Sequence, residues 1–275
     1  MALKVGAVTY APKVTVIWDM IKTFMAGHDI DIDPVLYADY KLQVDGLIAG
    51  DIDLAWNSPL AHLDVTQRLN GKEKYGAMRD TDRDLHTVLA VRTDSGISSV
   101  SDLRGKKIGF GAADSPQARL IPIHYLHTQG LEYGKDYEEV TFEIGVGLHG
   151  DHVGGELDSM KALADGKLDA SFALNANFKA WTTDGTIDAN VVKQLSQTPA
   201  FDHCIFSARP ELDDAEIERF DKALFEMDYN DPVHKEIMDM EGLTKWVPGR
   251  LQGYEQITNA DAYLGGFLKK FNASR

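Results

Sequence analysis

Leu47-Ile48-Ala49-Gly50-Asp51-Ile52-Asp53-Leu54-Ala55-Trp56-Asn57 and Leu163-Ala164-Asp165-Gly166-Lys167-Leu168-Asp169-Ala170-Ser171-Phe172-Ala173-Leu174-Asn175 carry one message twice. In each, a helical apolar pattern ends at a glycine, where the residue after a helix must take positive φ. A short Asp-led apolar run then reads as a buried strand. Each strand finishes at an asparagine. The spacing of Gly50 and Gly166 is too long for a solenoid repeat and suits two lobes of similar build. Two αβ lobes imply a ligand cleft.

Outward from these segments, strands and helices alternate. Strands are expected over 3–10, 30–37 and 53–56, with helices over 13–26, 39–49 and 59–69. Short connections between such elements argue a mostly parallel sheet flanked by helices. The run 85–93 reads as a strand leading into the second lobe. There, strands over 107–111, 140–144, 170–174 and 191–195 alternate with helices over 117–128, 156–164 and 176–183. A return strand is expected over 201–208, and helices over 213–227 and 260–271 are expected to pack back onto the first lobe. The expectation is thus an α/β protein with residues 1–91 plus 204–275 as a discontinuous first lobe and 92–203 as the second.

Composition narrows the partners. The chain has 275 residues, 44% of them hydrophobic, enough for two modest cores, and no apolar run near membrane-spanning length. Its formal net charge of −15 disfavours phosphate backbones and anionic bilayers, so neither nucleic acid nor membrane insertion is expected. The N-terminus shows no basic start followed by an apolar core and small-residue cleavage site. That leaves a cytoplasmic location, or a periplasmic one after removal of a signal. The single cysteine, Cys204, has no internal disulfide partner and decides neither.

In open αβ sheets ligands bind beyond the carboxyl ends of strands, where helix N-termini present unpaired N–H groups. Four such junctions are legible: Tyr10-Ala11-Pro12, Trp56-Asn57-Ser58-Pro59, Gly109 to Gln117, and Asn175-Ala176-Asn177. Ser58-Pro59 and Ser115-Pro116 have the side chains of an N-cap and a first helical position. Any one of these reads equally well as ordinary capping; four at equivalent strand ends point to a site. Tyr10 and Trp56 are the aromatic candidates for its wall. The glycine-rich stretch Gly147-Leu148-His149-Gly150-Asp151-His152-Val153-Gly154-Gly155-Glu156 offers groups for ligand hydrogen bonding or proton transfer, but its spacing fits no zinc motif, and no metal is expected. No phosphate loop or nucleophile elbow is present. Gly109-x-Gly111-x-x-Asp114 lacks the third glycine of a dinucleotide fingerprint, so no cofactor is expected.

Three patterns together resemble the type II periplasmic-binding fold and, within it, the phosphonate and phosphite solute-binding family of ABC importers. They are Tyr40-x-x-x-Val44-x-x-Leu47-x-x-Gly50-x-x-Asp53-Leu54-Ala55-Trp56, Asp102-Leu103-Arg104-Gly105-Lys106-Lys107-Ile108-Gly109-Phe110-Gly111, and the Gly166-x-x-Asp169 echo. The resemblance covers about residues 3–210. It implies two lobes with a ligand cleft between them, hinge closure on a small polar or anionic metabolite, and an ABC permease as partner. The family's phosphonate site resembles a Ser-Thr-Ser-Gly turn opening a helix; the corresponding positions here read Ser115-Pro116-Gln117-Ala118. One hydroxyl remains, Pro116 removes an N–H donor, and Asp114 would repel a phosphonate dianion. Arg119 is the candidate counter-charge. The expected ligand-binding residues are therefore Tyr10, Trp56, Asn57, Ser58, Asp114, Ser115, Gln117, Arg119, His149 and Asn175. The alternative is a cytoplasmic lyase or decarboxylase on the same fold, with His149 and His152 moving protons and Asp114 orienting a substrate hydroxyl or amine.

Overall fold

The computed structural model describes residues 2–150 and 155–275. In chain order the elements begin β1 (Leu3–Val8), α1 (Lys13–Ala26), β2 (Ile32–Tyr37), α2 (Tyr40–Ala49), β3 (Leu54–Asn57), α3 (Pro59–Leu69), β4 (Lys74–Tyr75) and β5 (Met78–Arg79). They continue β6 (Thr87–Arg92), β7 (Lys107–Phe110), α4 (Ile121–Thr128), β8 (Glu138–Thr141), α5 (Glu156–Ala164), β9 (Ala170–Leu174), α6 (Asn175–Asp184) and β10 (Val192–Gln197). The last are β11 (Ile205–Ala208), α7 (Asp214–Phe225), α8 (Pro232–Glu241), β12 (Trp246–Val247), α9 (Glu255–Tyr263) and α10 (Phe267–Ala273). No described helix is long and apolar enough to cross a membrane.

Two compact units result. The first joins Met1–Arg83 to Asp202–Tyr254, the second Asp84–Phe201 to Glu255–Arg275. The first unit's sheet runs β2-β1-β3-β11-β4, with β1 parallel to β2 and β3, and β11 antiparallel to β3 and β4. Read from β8, the second unit's sheet runs β8-β7-β9-β6-β10, with β7 parallel to β8 and β9, and β6 antiparallel to β9 and β10. The two sheets share one plan, and the repeated segments supply the same strand of it, β3 and β9.

The repeat works identically in both. Gly50 and Gly166 take φ of 79° and 74°, a conformation that costs a side-chain-bearing residue about 1 kcal/mol or more. Asp53 then pins β3 to β1: Lys4 N–H donates to its Oδ2 (2.9 Å), and its own N–H donates to Lys4 O (2.8 Å). Asp169 pins β9 to β7 in the same manner, through Lys107 N–H to Oδ2 (2.9 Å) and Asp169 N–H to Lys107 O (2.9 Å). Each aspartate satisfies backbone groups at the very start of a buried ladder, where an orphan would be costly.

The cores are separate. In the first unit α1 buries Val14, Ile17, Trp18, Ile21, Phe24 and Met25 at helical spacing. They join an aromatic cluster in which the Phe206 ring packs against Trp56 at 4.8 Å, Phe220 at 5.1 Å and Trp246 at 6.0 Å. In the second, Phe110 and Phe172 stack at 5.4 Å from neighbouring strands β7 and β9.

Three expectations change. The strand over 87–92 belongs to the second unit, not the first, because it pairs with β9 and β10 on both edges. The chain end also belongs there: α9 stacks Tyr263 on His127 of α4 at 4.1 Å, and Tyr263 Oη donates to Glu132 Oε2 (3.0 Å). Of the tail, only the part holding α7, α8 and β12 packs into the first unit. The single helix expected over 260–271 is split where Gly265 and Gly266 take φ of 69° and 74°.

Candidate functional site

The strand ends of the first unit present amides. Asn57 closes β3 with none of its surface exposed. Gln43, buried on α2, donates through Nε2 to Asn57 Oδ1 (2.8 Å) and to Trp56 O (2.8 Å). This leaves Asn57 Nδ2 and Gln43 Oε1 buried without partners, one donor and one acceptor. Ser58 caps α3 by accepting from Ala61 N–H (3.2 Å), and Pro59 follows at the first helical position.

The aromatic candidates here serve the core. Trp56 packs against Phe206 and Trp246, with the Arg79 guanidinium 5.4 Å above its ring. Tyr10 is half-buried against the same core, with Lys13 Nζ 5.8 Å from its ring.

In the second unit the constellation is acidic. Asp114, fully buried, accepts Gly147 N–H at Oδ2 (2.6 Å) and leaves Oδ1 unpartnered. Glu156, at the start of α5, is 1% exposed; its Oε2 accepts Leu174 N–H (2.9 Å) and Asn177 Nδ2 (3.1 Å), and its Oε1 has no partner. Burial pushes both carboxyls up, against the lowering effect of the hydrogen bonds they accept. Gln117 reaches the second of them: Nε2 donates to Gly150 O (2.8 Å), and the side chain also hydrogen-bonds Glu156. Asn175 opens α6, its N–H donating to His86 O (2.9 Å) and its Oδ1 unpartnered.

Residues 116–120 form a π-helical turn before α4, an irregularity that re-aims side chains at functional sites. Ser115 caps it, accepting Ala118 N–H (3.1 Å). His149 is buried in the left-handed region at φ 53°, and its backbone N–H contributes a hydrogen bond to Asp114. Gly150 at φ 71° is packed so closely on Ser115 that a Cβ there would lie 2.8 Å from Ser115 Cβ.

Arg119 does not provide the counter-charge that the sequence suggested. Its guanidinium meets Glu139 (Nε to Oε1, 2.5 Å), Ala113 O (3.0 Å) and Tyr133 Oη (3.0 Å). The acid on β8 absorbs it. Of the two candidate proton carriers, His149 lies by Asp114, whereas His152 falls outside the described residues. Gln43 was not legible, being one polar residue inside an otherwise regular helix. Glu156 stood in the glycine-rich stretch, but its partnership with the end of β9 had no signal in the sequence.

A second buried polar network lies in the first unit, beside Trp56. Arg79 binds Asp82 (2.6 and 2.9 Å), Arg250 binds Asp202 (2.6 and 2.7 Å), and His203 Nδ1 lies 3.1 Å from Cys204 Sγ. Burial drives His203 down to about 4, so its ring is neutral.

A family model for the periplasmic substrate-binding protein of phosphonate ABC transporters matches residues 10–254. The chain belongs to this family. It is 25% identical over 244 residues to a probable ABC transporter phosphite-binding protein, PhnD1, of Prochlorococcus marinus, covering 83% of this chain and 77% of that one. It is 26% identical over 238 residues to the phosphate-import protein PhnD of Mycolicibacterium smegmatis, covering 84% and 72%. Among solved structures, P. marinus PhnD1 in complex with methylphosphonate superposes with a TM-score of 0.70 at 18% identity, over 96% of this chain and 98% of that one. XAC2383 of Xanthomonas citri bound to ATP gives 0.72 at 17%, over 99% and 98%. These confirm the two-lobed periplasmic-binding-protein fold, and the chain is a solute-binding protein of an ABC transporter family. The lyase alternative draws no support from them.

Proposed function

We propose that the two strand-end clusters are the solute-contacting faces of their respective units: Asn57, Gln43 and Ser58 in the first, and Asp114, Gln117, Glu156 and Asn175 in the second. The observation that supports this is a set of fully buried polar atoms lacking any partner among the described residues, Asn57 Nδ2, Asp114 Oδ1 and Glu156 Oε1. An unsatisfied buried donor or acceptor costs roughly 1–3 kcal/mol. All three lie beyond strand carboxyl ends, the ligand position in open αβ sheets, where a bound solute would satisfy them.

Family membership extends the reading to a periplasmic protein that delivers a small polar solute to an ABC permease. Because methylphosphonate, phosphite and phosphate mark the relatives, compact solutes are the class to screen.

The test uses Asn57→Leu. The leucine removes an unsatisfied donor and also an acceptor of Gln43 Nε2, which keeps Trp56 O, so the variant without solute should melt within a few degrees of the wild type. Solutes that raise the wild-type melting temperature in a thermal-shift screen should no longer raise that of the variant. A solute that stabilises both equally would remove Asn57 from the binding face.

A further inference from the structure

The second unit's cluster has the wrong polarity for an anion. Helix N-termini at strand ends are ready-made anion seats because their N–H groups are unpaired. Here α5 and α6 begin without a side-chain cap, but several of the neighbouring donors are engaged by the protein itself. Leu174 N–H, at the end of β9, goes to Glu156 Oε2, and so does Asn177 Nδ2 from the first turn of α6. Gly147 N–H goes to Asp114 Oδ2. At the π-helical turn Pro116 has no N–H, and Ala118 N–H goes to Ser115 Oγ. The Gln117 side chain donates through Nε2 to Gly150 O and also hydrogen-bonds Glu156.

What is left over accepts hydrogen bonds. Asp114 Oδ1, Glu156 Oε1 and Asn175 Oδ1 are three buried oxygens without partners among the described residues. Two of them sit on carboxyls that are 0% and 1% exposed. Among the described residues the guanidinium that lowers the Asp114 carboxyl is that of Arg275, which lies over Gly147 and makes no hydrogen bond to Oδ1. Arg119 is held by Glu139.

Resting on the reading of this cluster as solute-contacting, we infer that it seats a cationic, donor-rich group of the solute, a primary ammonium or a guanidinium, in place of the phosphonate that the family's turn would hold. An ammonium has three donors and no acceptor, and a guanidinium five donors, so either matches a set of unpaired oxygens on two carboxyls and an amide. A dianion would face the same oxygens with neither donors nor opposite charge.

Four probes on one carbon skeleton separate the cases: propylamine, propylguanidine, propylphosphonate and propylsulfonate, each titrated by calorimetry and thermal shift into the full chain. The expected result is binding of the amine or guanidine and none of the two anions. Asp114→Asn and Glu156→Gln should each weaken the cation about tenfold or more, as loss of a charge-assisted hydrogen bond does. Asn175→Leu, at a half-buried position, removes the third oxygen and should weaken it severalfold, which keeps the test open if a carboxyl variant fails to fold.

Binding of the phosphonate but not the amine, abolished by Glu156→Gln, would overturn the inference while keeping the cluster as a solute face. Binding of the amine unchanged in all three variants would overturn both. Absence of any amine or guanidine binding overturns the inference.

Discussion

Asp221 should contribute more to stability in acid than at neutral pH. Its side chain on α7 reaches the backbone of 76–77, where Oδ1 accepts Ala77 N–H (2.8 Å), and no cation is among the groups that shift it. Burial raises its pKa from 3.8 to about 7. Between those values the folded chain keeps a proton that the unfolded chain has lost. The contribution of Asp221 to stability therefore falls as pH rises from about 4 to about 7, and stays at the lower value above that. A gap of about 3 pH units corresponds to roughly 4 kcal/mol; partial exposure of the side chain brings the realistic cost to about 2 kcal/mol.

Asp221→Asn retains an oxygen for Ala77 N–H and removes the ionisation. At pH 8 the variant should melt about 4–8 °C above wild type, taking about 2–4 °C per kcal/mol for a chain of this size. At pH 4 the two should coincide. The assay is thermal unfolding followed by circular dichroism at half-unit steps from pH 4 to 8. A melting difference that stays constant across that range would refute the reasoning, because the effect would then come from packing and not from a titrating carboxyl.

Three further outcomes are expected. Gly109 of β7 has Ser159 Oγ and Leu168 Cδ1 where a Cβ would go, so Gly109→Ala should cost about 1–3 kcal/mol in denaturant titrations by overpacking the second unit's core. Gly150→Ala combines a left-handed φ with a clash against Ser115; it should lower the solute-free melting point by several degrees and abolish solute-induced stabilisation, both read by thermal shift. Arg79→Met leaves buried Asp82 without its bidentate partner, and chemical denaturation should show a loss of about 3–5 kcal/mol, largely recovered in the Arg79→Met, Asp82→Leu double variant.

The duplicated segment was the most readable part of the chain because its message is local. A positive-φ glycine, an aspartate three residues later and a short buried strand need only their own backbone and one neighbouring strand. Gly50 and Asp53 therefore behave as Gly166 and Asp169 do. The unit to which a strand belongs is not local information. Thr87–Arg92 is apolar on both faces, and such a run fits the middle of either sheet. The C-terminal helices were equally undetermined, since an amphipathic helix specifies that it packs but not on what. The residues of the site were legible as a set of strand ends, yet their states were not. That Arg119 would be taken by Glu139, or that Gln43 would reach Asn57 from the next helix, depends on contacts across 20 and 14 residues of chain.

The shared plan of the two sheets turns the site into a question of which donors remain. Equivalent strands end at equivalent helix starts in both units, so the backbone supplies similar N–H groups to each. In the first unit the side chains added there are amides, which carry donors and acceptors in equal number; one of each is left over, at Asn57 and Gln43. In the second they include two carboxylates, which only accept when ionised and so consume backbone and amide donors while leaving oxygens of their own unpaired. The same scaffold thus presents a neutral polar face in one unit and an acceptor-rich face in the other. On the reading proposed above, solute choice would be set less by the helix termini that a family shares than by the side chains placed around them.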